Sequence, residues 1–145
     1  MRIIEKPGFR VIGLEVTAPW EALWTVMPNA WEAFFRRRND IPGVMSGASM
    51  DISIEQRDGV YMQLIATEVN ATALPPAGMR VLQVPAQRYL HHWHDGSLAG
   101  IALSFGTMYE WAAAQGLALD LFKLDIGYTA KGQESAHDLY IRLAD

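Results

Sequence analysis

Pro7-Gly8-Phe9-Arg10-Val11-Ile12-Gly13 returns in the middle of the chain as Ala77-Gly78-Met79-Arg80-Val81-Leu82-Gln83. Each copy leads through a further strand-like stretch into an aromatic helical segment and then two strand-like runs. A repeat of this kind governs every later assignment, because a module that cannot bury its apolar face alone buries it against its neighbour. Two similar halves packed side by side also leave a seam, and seams between modules are preferred places for small ligands.

Working outward from the first copy, Arg2 to Glu5 is strand-like, and residues 9–16 form a strand after the Pro-Gly turn. Pro19 and Glu21 suit the first turn of a helix, by fixed φ and by charge against the dipole. Trp20, Leu23, Trp24, Met27, Trp31, Phe34 and Phe35 recur at the helical period and predict one heavy apolar face. Core is the expected place for at least two of its three tryptophans. Pro28 should kink or split this helix, which ends before Asn39-Asp40-Ile41-Pro42-Gly43. Two strands, near 49–56 and 60–69, are joined at Asp58-Gly59, a hairpin cue. Asn70 to Gly78, with Pro75-Pro76 inside, links the copies.

The second copy predicts strands at 79–84 and 88–94, broken at Pro85-Ala86. Ser97 is a candidate N-cap for a helix whose stripe is Leu98, Ile101, Ala102, Phe105, Tyr109 and Ala112, with Gly116 beyond its end. Strands at 119–128 and 137–143 close the chain around a polar loop, Ala130 to Ala136. The pattern predicts an α+β fold: a duplicated strand-helix-strand-strand module, with an antiparallel sheet, two helices on one face and a ligand cleft between the repeats. One domain, 1–145, is expected, its repeats spanning about 1–70 and 77–145.

At 145 residues the chain is large enough for one substantial core, and 50% hydrophobic with 19% charged residues is ordinary globular composition. A net charge of -4 disfavours direct contact with nucleic acid. The run Arg36-Arg37-Arg38 is read as a solvated helix end. There is no cysteine, so thiolate chemistry is excluded. No apolar stretch is long enough to span a bilayer, and the N-terminus lacks a signal-peptide layout, so a cytoplasmic, bacterial-style protein is expected.

Tyr89-Leu90-His91-His92-Trp93-His94-Asp95-Gly96 resembles the second-repeat signature of the GyrI-like small-molecule-binding domains, also called AraC-type effector-binding domains. Tyr89, His94 and Gly96 match its spacing. Val84-Pro85-Ala86, Trp111 and Asp138-Leu139-Tyr140-Ile141 look like further family positions. The resemblance covers essentially the whole chain and implies two pseudo-symmetric halves around a channel for bulky, often cationic or aromatic compounds. Members occur fused to DNA-binding helices or standing alone, and a chain of 145 residues with no room for a helix-turn-helix module is expected to be the stand-alone form. Two departures stand out. The family's glutamate two residues before an aromatic in the seventh strand is Ile126 here, before Tyr128, and the nearest acid is Asp125. Arg142 stands where the closing strand usually has proline.

Asp125 lies between Leu124 and Ile126, and alternation turns it away from both. If those two pack under the helices, Asp125 points into the cleft, where a ligand cation would offset its desolvation. The competing reading is an ordinary strand acid or salt-bridge partner. Faces of Trp and Tyr attract organic cations by about 0.5–2 kcal/mol each. The expected ligand-binding set is therefore Asp125, Tyr128, Tyr89, Trp93, Tyr61, Trp24, Trp111 and Glu110. Tyr89, His91 and Trp93 share one strand face, and Leu90, His92 and His94 the other. The histidines lack a convincing third metal ligand, so no metal is expected, and His94 should bond the turn before its helix. No cofactor is expected. The function read from these features is binding of a bulky hydrophobic, cationic or aromatic small molecule, for sensing or sequestration, by a monomer or a homodimer. Two alternatives stand beside it. One is hydrolysis of a reactive small molecule by Glu110 or Asp125 with Tyr128, as a few relatives hydrolyse strained cyclopropanes. The other is a protein-interaction module such as a gyrase modulator, of which the family has examples.

Overall fold

The computed structural model describes residues 1–130 and 136–144. In chain order the elements are β1 (Arg2–Lys6), β2 (Phe9–Pro19), α1 (Trp20–Arg37), β3 (Val44–Arg57), β4 (Val60–Val69), β5 (Arg80–Val84), β6 (Gln87–His94), α2 (Ile101–Ala114), β7 (Leu119–Tyr128) and β8 (His137–Leu143). Single 3-10 turns follow α1 and precede α2. The loop read at Ala130 to Ala136 falls mostly on 131–135, outside the described residues.

All the strands join one antiparallel sheet in the order β1-β6-β8-β7-β3-β4-β2-β5. Exchanging β1–β4 for β5–β8 reverses this order and leaves it otherwise unchanged. Each half therefore runs strand, strand, helix, strand, strand. Its short first strand crosses to the edge of the other half, β1 beside β6 and β5 beside β2. The sequence echo is out of step with this symmetry. Gly78-Met79 opens β5, the counterpart of β1, whereas Pro7-Gly8 opens β2, whose counterpart is β6.

One face of the sheet carries no helix and is nonetheless sealed. Val11, Ile52, Leu64 and Leu124 form its core, joined by Ile4 of β1 and Val84 of β5. These two strands are the opposite edges of the strand order, so the sheet curls until both edges share one core. Lys6 spans the closure, its ammonium 4.9 Å from the Phe9 ring and 5.5 Å from the Tyr140 ring.

The other face carries both helices. Under α1, Ile12, Ile65 and Val69 pack against Phe34, with Met27, Trp31 and Phe35 alongside. Under α2, Leu90, Leu139 and Ile141 pack against Ile101, Met108 and Ala112. The buried stripe of α2 uses Met108 instead of Ala102, which is exposed, because Ile101, Phe105, Met108 and Ala112 recur every three to four residues. Helix α1 runs through Pro28 as one element. Trp20 and Trp24 were expected in its apolar face, yet they are 49% and 63% exposed. Among the three tryptophans of α1, Trp31 alone packs into the cluster under it.

Local signals account for the turns. Asp58 and Gly59 both take positive φ, 54° and 77°, as a primed hairpin turn demands. Gly116 has a φ of 74° just past α2. His94 Nε2 bonds the Ser97 carbonyl at 2.8 Å and Nδ1 the Ser104 hydroxyl at 2.7 Å, while Ser97 makes no side-chain cap. Among the described residues no helix is long and apolar enough to cross a membrane.

Candidate functional site

The two apolar clusters under α1 and α2 do not meet. Between them the centre of the helix-bearing face is polar, and strand register explains how. Residues aligned across an antiparallel sheet share a face, so one row reads Leu14, Ile65, Asp51, Asp125, Leu139, His92 from β2 to β6. Its ends are apolar or imidazole and its centre is two carboxylates in register. The row on one side reads Val16, Gln63, Ser53, Lys123, Ile141, Leu90. The row on the other side includes Ile12, Thr67, Ser49 and Tyr128. Strands β3 and β7 are exchanged by the pseudo-symmetry, so Asp51 and Asp125 occupy equivalent stations.

Tyr128 reaches this face through a bulge. Met50 pairs with Ile126 and Ser49 with Tyr128, so Gly127 is an extra residue on β7. Without it, alternation would turn Tyr128 to the curled face with Leu124 and Ile126. Gly127 has a φ of 154°, and a Cβ there would lie 2.7 Å from His137 Cδ2. The bulge lets an acid three residues before the aromatic do the facing that a spacing of two gives on a regular strand.

Asp125 is 5% exposed, and its neighbours hold it on two sides. The Tyr128 hydroxyl donates to Oδ2 at 2.6 Å, and His137 Nδ1 meets Oδ1 at 2.6 Å. With a carboxylate accepting, that imidazole nitrogen carries the hydrogen. Burial pushes the Tyr128 pKa up, and the charges of Asp125 and Asp51 push it further, so the phenol stays a neutral donor. Its ring stacks on Trp31 with centroids 4.3 Å apart.

Asp51 differs from its counterpart. Gln63 Nε2 donates to its Oδ1 at 2.8 Å and to Ser53 Oγ at 3.0 Å. The carboxyl lies deep among protein atoms, although Asp51 as a residue keeps part of its surface open. Desolvation by burial raises its pKa from 3.8 to about 7, and the charge of Asp125 adds to the rise. The Gln63 hydrogen bond and Lys123 oppose it. Lys123 turns toward α2, where Nζ donates to Leu121 O at 3.0 Å and lies 5.6 Å from the Tyr109 ring and 5.9 Å from the Phe105 ring. Desolvation lowers its pKa. In the third row Ser49 is fully buried, and its Oγ has no hydrogen-bond partner among the described residues.

The residues expected from sequence separate into groups. Asp125 and Tyr128 come together at the centre of this face, but for a different reason than expected. Leu124 and Ile126 pack in the curled face and not under the helices, so Asp125 is the one that lies on the helix side. Tyr61 and Trp24 gather around Trp20 at the start of α1, with centroid distances of 5.5 Å and 6.2 Å to it. Trp111 packs in the cluster under α2, and Glu110 is exposed. Tyr89 sits fully buried in the curled face, where Gln87 donates to its hydroxyl at 2.6 Å, and Trp93 shares its side of β6 at 55% exposure. The concavities of about 260 and 250 Å³ are elsewhere too, one at the β3–β4 hairpin and one between Ile54, Val84 and Phe122. Among the described residues no three His, Asp or Glu side chains are placed to hold a metal ion.

Sequence reasoning passed over Asp51, although a signal was there. Met50-Asp51-Ile52 and Leu124-Asp125-Ile126 are the same apolar-Asp-Ile triplet at the same station of each half.

A family described as Cass2, integron-associated effector binding protein, matches residues 2–142. The chain belongs to this family. A curated relative, the transcriptional regulator BrlR of Pseudomonas aeruginosa, is 33% identical over 117 residues. That alignment takes in 79% of this chain and 42% of the regulator, so the chain spans less than half of that relative's length. Among solved structures, SAV2435 bound to tetraphenylphosphonium superposes with a TM-score of 0.72 at 10% identity, covering 99% of this chain and 93% of that one. The EcmrR C-terminal domain gives a TM-score of 0.72 at 12% identity, covering 99% and 96%. At those identities the likeness establishes the α+β fold.

Proposed function

We propose that this effector-binding domain binds a bulky hydrophobic cation in a groove above β3 and β7, flanked by α1 and α2, to sense or sequester it. The chain then acts as one unit whose halves, about 1–70 and 77–145, each contribute one wall, in a bacterial cytoplasm. One observation carries the reading: two carboxylates in register, Asp51 and Asp125, lie at the centre of a polar strip flanked by the apolar and aromatic clusters under α1 and α2. Trp31 and Tyr128 stand on the α1 side, and Phe105 and Tyr109 on the α2 side. Rings supply dispersion and quadrupole attraction, about 0.5–2 kcal/mol each for a cation, and the acids supply the preference for charge. The exposed cluster of Trp20, Trp24 and Tyr61 offers a first apolar contact at the start of α1. The tetraphenylphosphonium named for the SAV2435 structure is a ligand of this chemical class.

The test is a thermal-shift titration with tetraphenylphosphonium and with triphenylphosphine oxide, a neutral molecule of related shape. Ligand at one hundred times its Kd stabilises a fold by about 2.7 kcal/mol. The cation should raise the melting temperature by several degrees and the oxide by less. No shift with either compound refutes the reading.

A further inference from the structure

We propose that Asp51, rather than Asp125, is the acid that meets the cation, and that the cation takes the place of a proton carried by Asp51. The inference rests on the groove reading above and assigns the charge-selecting group within it. Asp125 is already committed: Tyr128 and His137 hold its two oxygens at 2.6 Å each, and it is 5% exposed. Asp51 keeps open surface, and among the described residues no hydrogen bond reaches its Oδ2. The groups packed around it answer its charge only in part. From β4 it receives Gln63, which is neutral. From β7 it faces Asp125, a like charge in register, and Lys123, whose ammonium is tied to Leu121 O and Tyr109 under α2. From β8, His137 is engaged with Asp125. On the helix side, Trp31 of α1 brings a ring stacked on Tyr128, and the Arg38 guanidinium past the end of α1 is engaged with Gly47 O and Thr67 Oγ1 in the neighbouring row.

Two carboxylates in register on a desolvated face do not both ionise readily, and the less tightly held one keeps a proton. Burial and the Asp125 charge place that proton on Asp51 near neutral pH. An organic cation entering above β3 offers the close counter-charge that Lys123, tied under α2, supplies only in part. The exchange balances as Asp51 carboxylic acid plus cation giving Asp51 carboxylate paired with cation, plus one proton released to solvent. Affinity is therefore linked to pH through this one residue.

Calorimetric titration of the full chain with tetraphenylphosphonium, whose charge is permanent, tests the linkage at pH 6 and pH 8 in two buffers of different ionisation enthalpy. An acid titrating near 7 that must ionise for binding predicts an affinity about tenfold higher at pH 8 than at pH 6. Close to one proton should leave per cation at pH 6, and almost none at pH 8. Asp51→Asn should bind weakly and lose the pH dependence. Asp125→Asn removes the like charge, so the affinity at pH 6 should approach that at pH 8. The proton count on the unmodified chain needs no variant and stands even if Asp51→Asn folds poorly. Cation binding with no proton released at pH 6 overturns the inference and leaves the groove reading intact. A pH dependence that survives in Asp51→Asn assigns the proton to Asp125 and His137 and likewise overturns it. No binding at either pH overturns both readings together.

Discussion

Replacing Asp51 by asparagine should make the protein more stable at pH 8 and leave it nearly unchanged at pH 4. Burial and the Asp125 charge raise the Asp51 pKa from 3.8 to about 7 in the folded chain. Below pH 3.8 the acid is protonated in both states and contributes nothing. As pH rises from there the unfolded chain ionises first, so stability falls until the folded carboxyl ionises as well, near 7. Above that the penalty is complete, with an upper bound of roughly 4 kcal/mol for a displacement of this size. The part of the residue's surface that stays open reduces it, and about 2 kcal/mol is the working figure. Asparagine removes the penalty and still offers an Oδ1 to Gln63, which now donates at 2.8 Å. At about 2–4 °C per kcal/mol for a chain of this size, the variant should melt some 4–8 °C above the parent at pH 8. Circular-dichroism melts of both proteins from pH 4 to pH 8 measure the difference. A variant that melts at or below the parent at pH 8, or a difference that does not grow with pH, would refute the reasoning. Stability gained where a charged group is removed is the expected sign of a site held ready for a counter-charge.

Gly127→Ala should destabilise by about 2–4 kcal/mol, read from urea midpoints, because a Cβ 2.7 Å from the His137 ring forces that ring off Asp125. A neutral effect would mean that the bulge does not set the position of His137. Tyr128→Phe keeps the stack on Trp31 but removes a donor from a buried carboxylate, so a loss of about 1–3 kcal/mol is expected in the same assay. Tyr89→Phe should cost about 1 kcal/mol through the lost Gln87 contact and leave the tetraphenylphosphonium affinity unchanged, since that ring is sealed in the curled face. An altered affinity would place the guest on the wrong side of the sheet.

Much of the fold is legible in the chain because it is written in short-range chemistry. The hairpin at Asp58-Gly59, the strands at 60–69, 119–128 and 137–143, and the helix end at Gly116 each follow from a few neighbouring residues. Pro28 was misleading: it removes one donor, yet the packing of Met27, Trp31 and Phe34 carries α1 through it. The burial of Trp20 and Trp24 was also misread, because periodicity marks a face of a helix and not how far the sheet beneath it extends.

The site was half legible. Alternation and the family resemblance pointed to Asp125 and Tyr128 as candidates, but alternation alone would put them on opposite faces, and Gly127 brings them together. Tyr89 matched the signature of the second repeat, and its role here is to fill a core.

The sequence by itself determined the α+β class and the element order, because periodicity and turn chemistry act over a few residues. Only the tertiary structure decided that β1 and β5 change sides, that the sheet curls shut on its helix-free face, and that Asp51 lies in register with Asp125. Those three outcomes depend on pairing between strands far apart in the chain, and the strength of a carboxylate depends on what such pairing sets beside it.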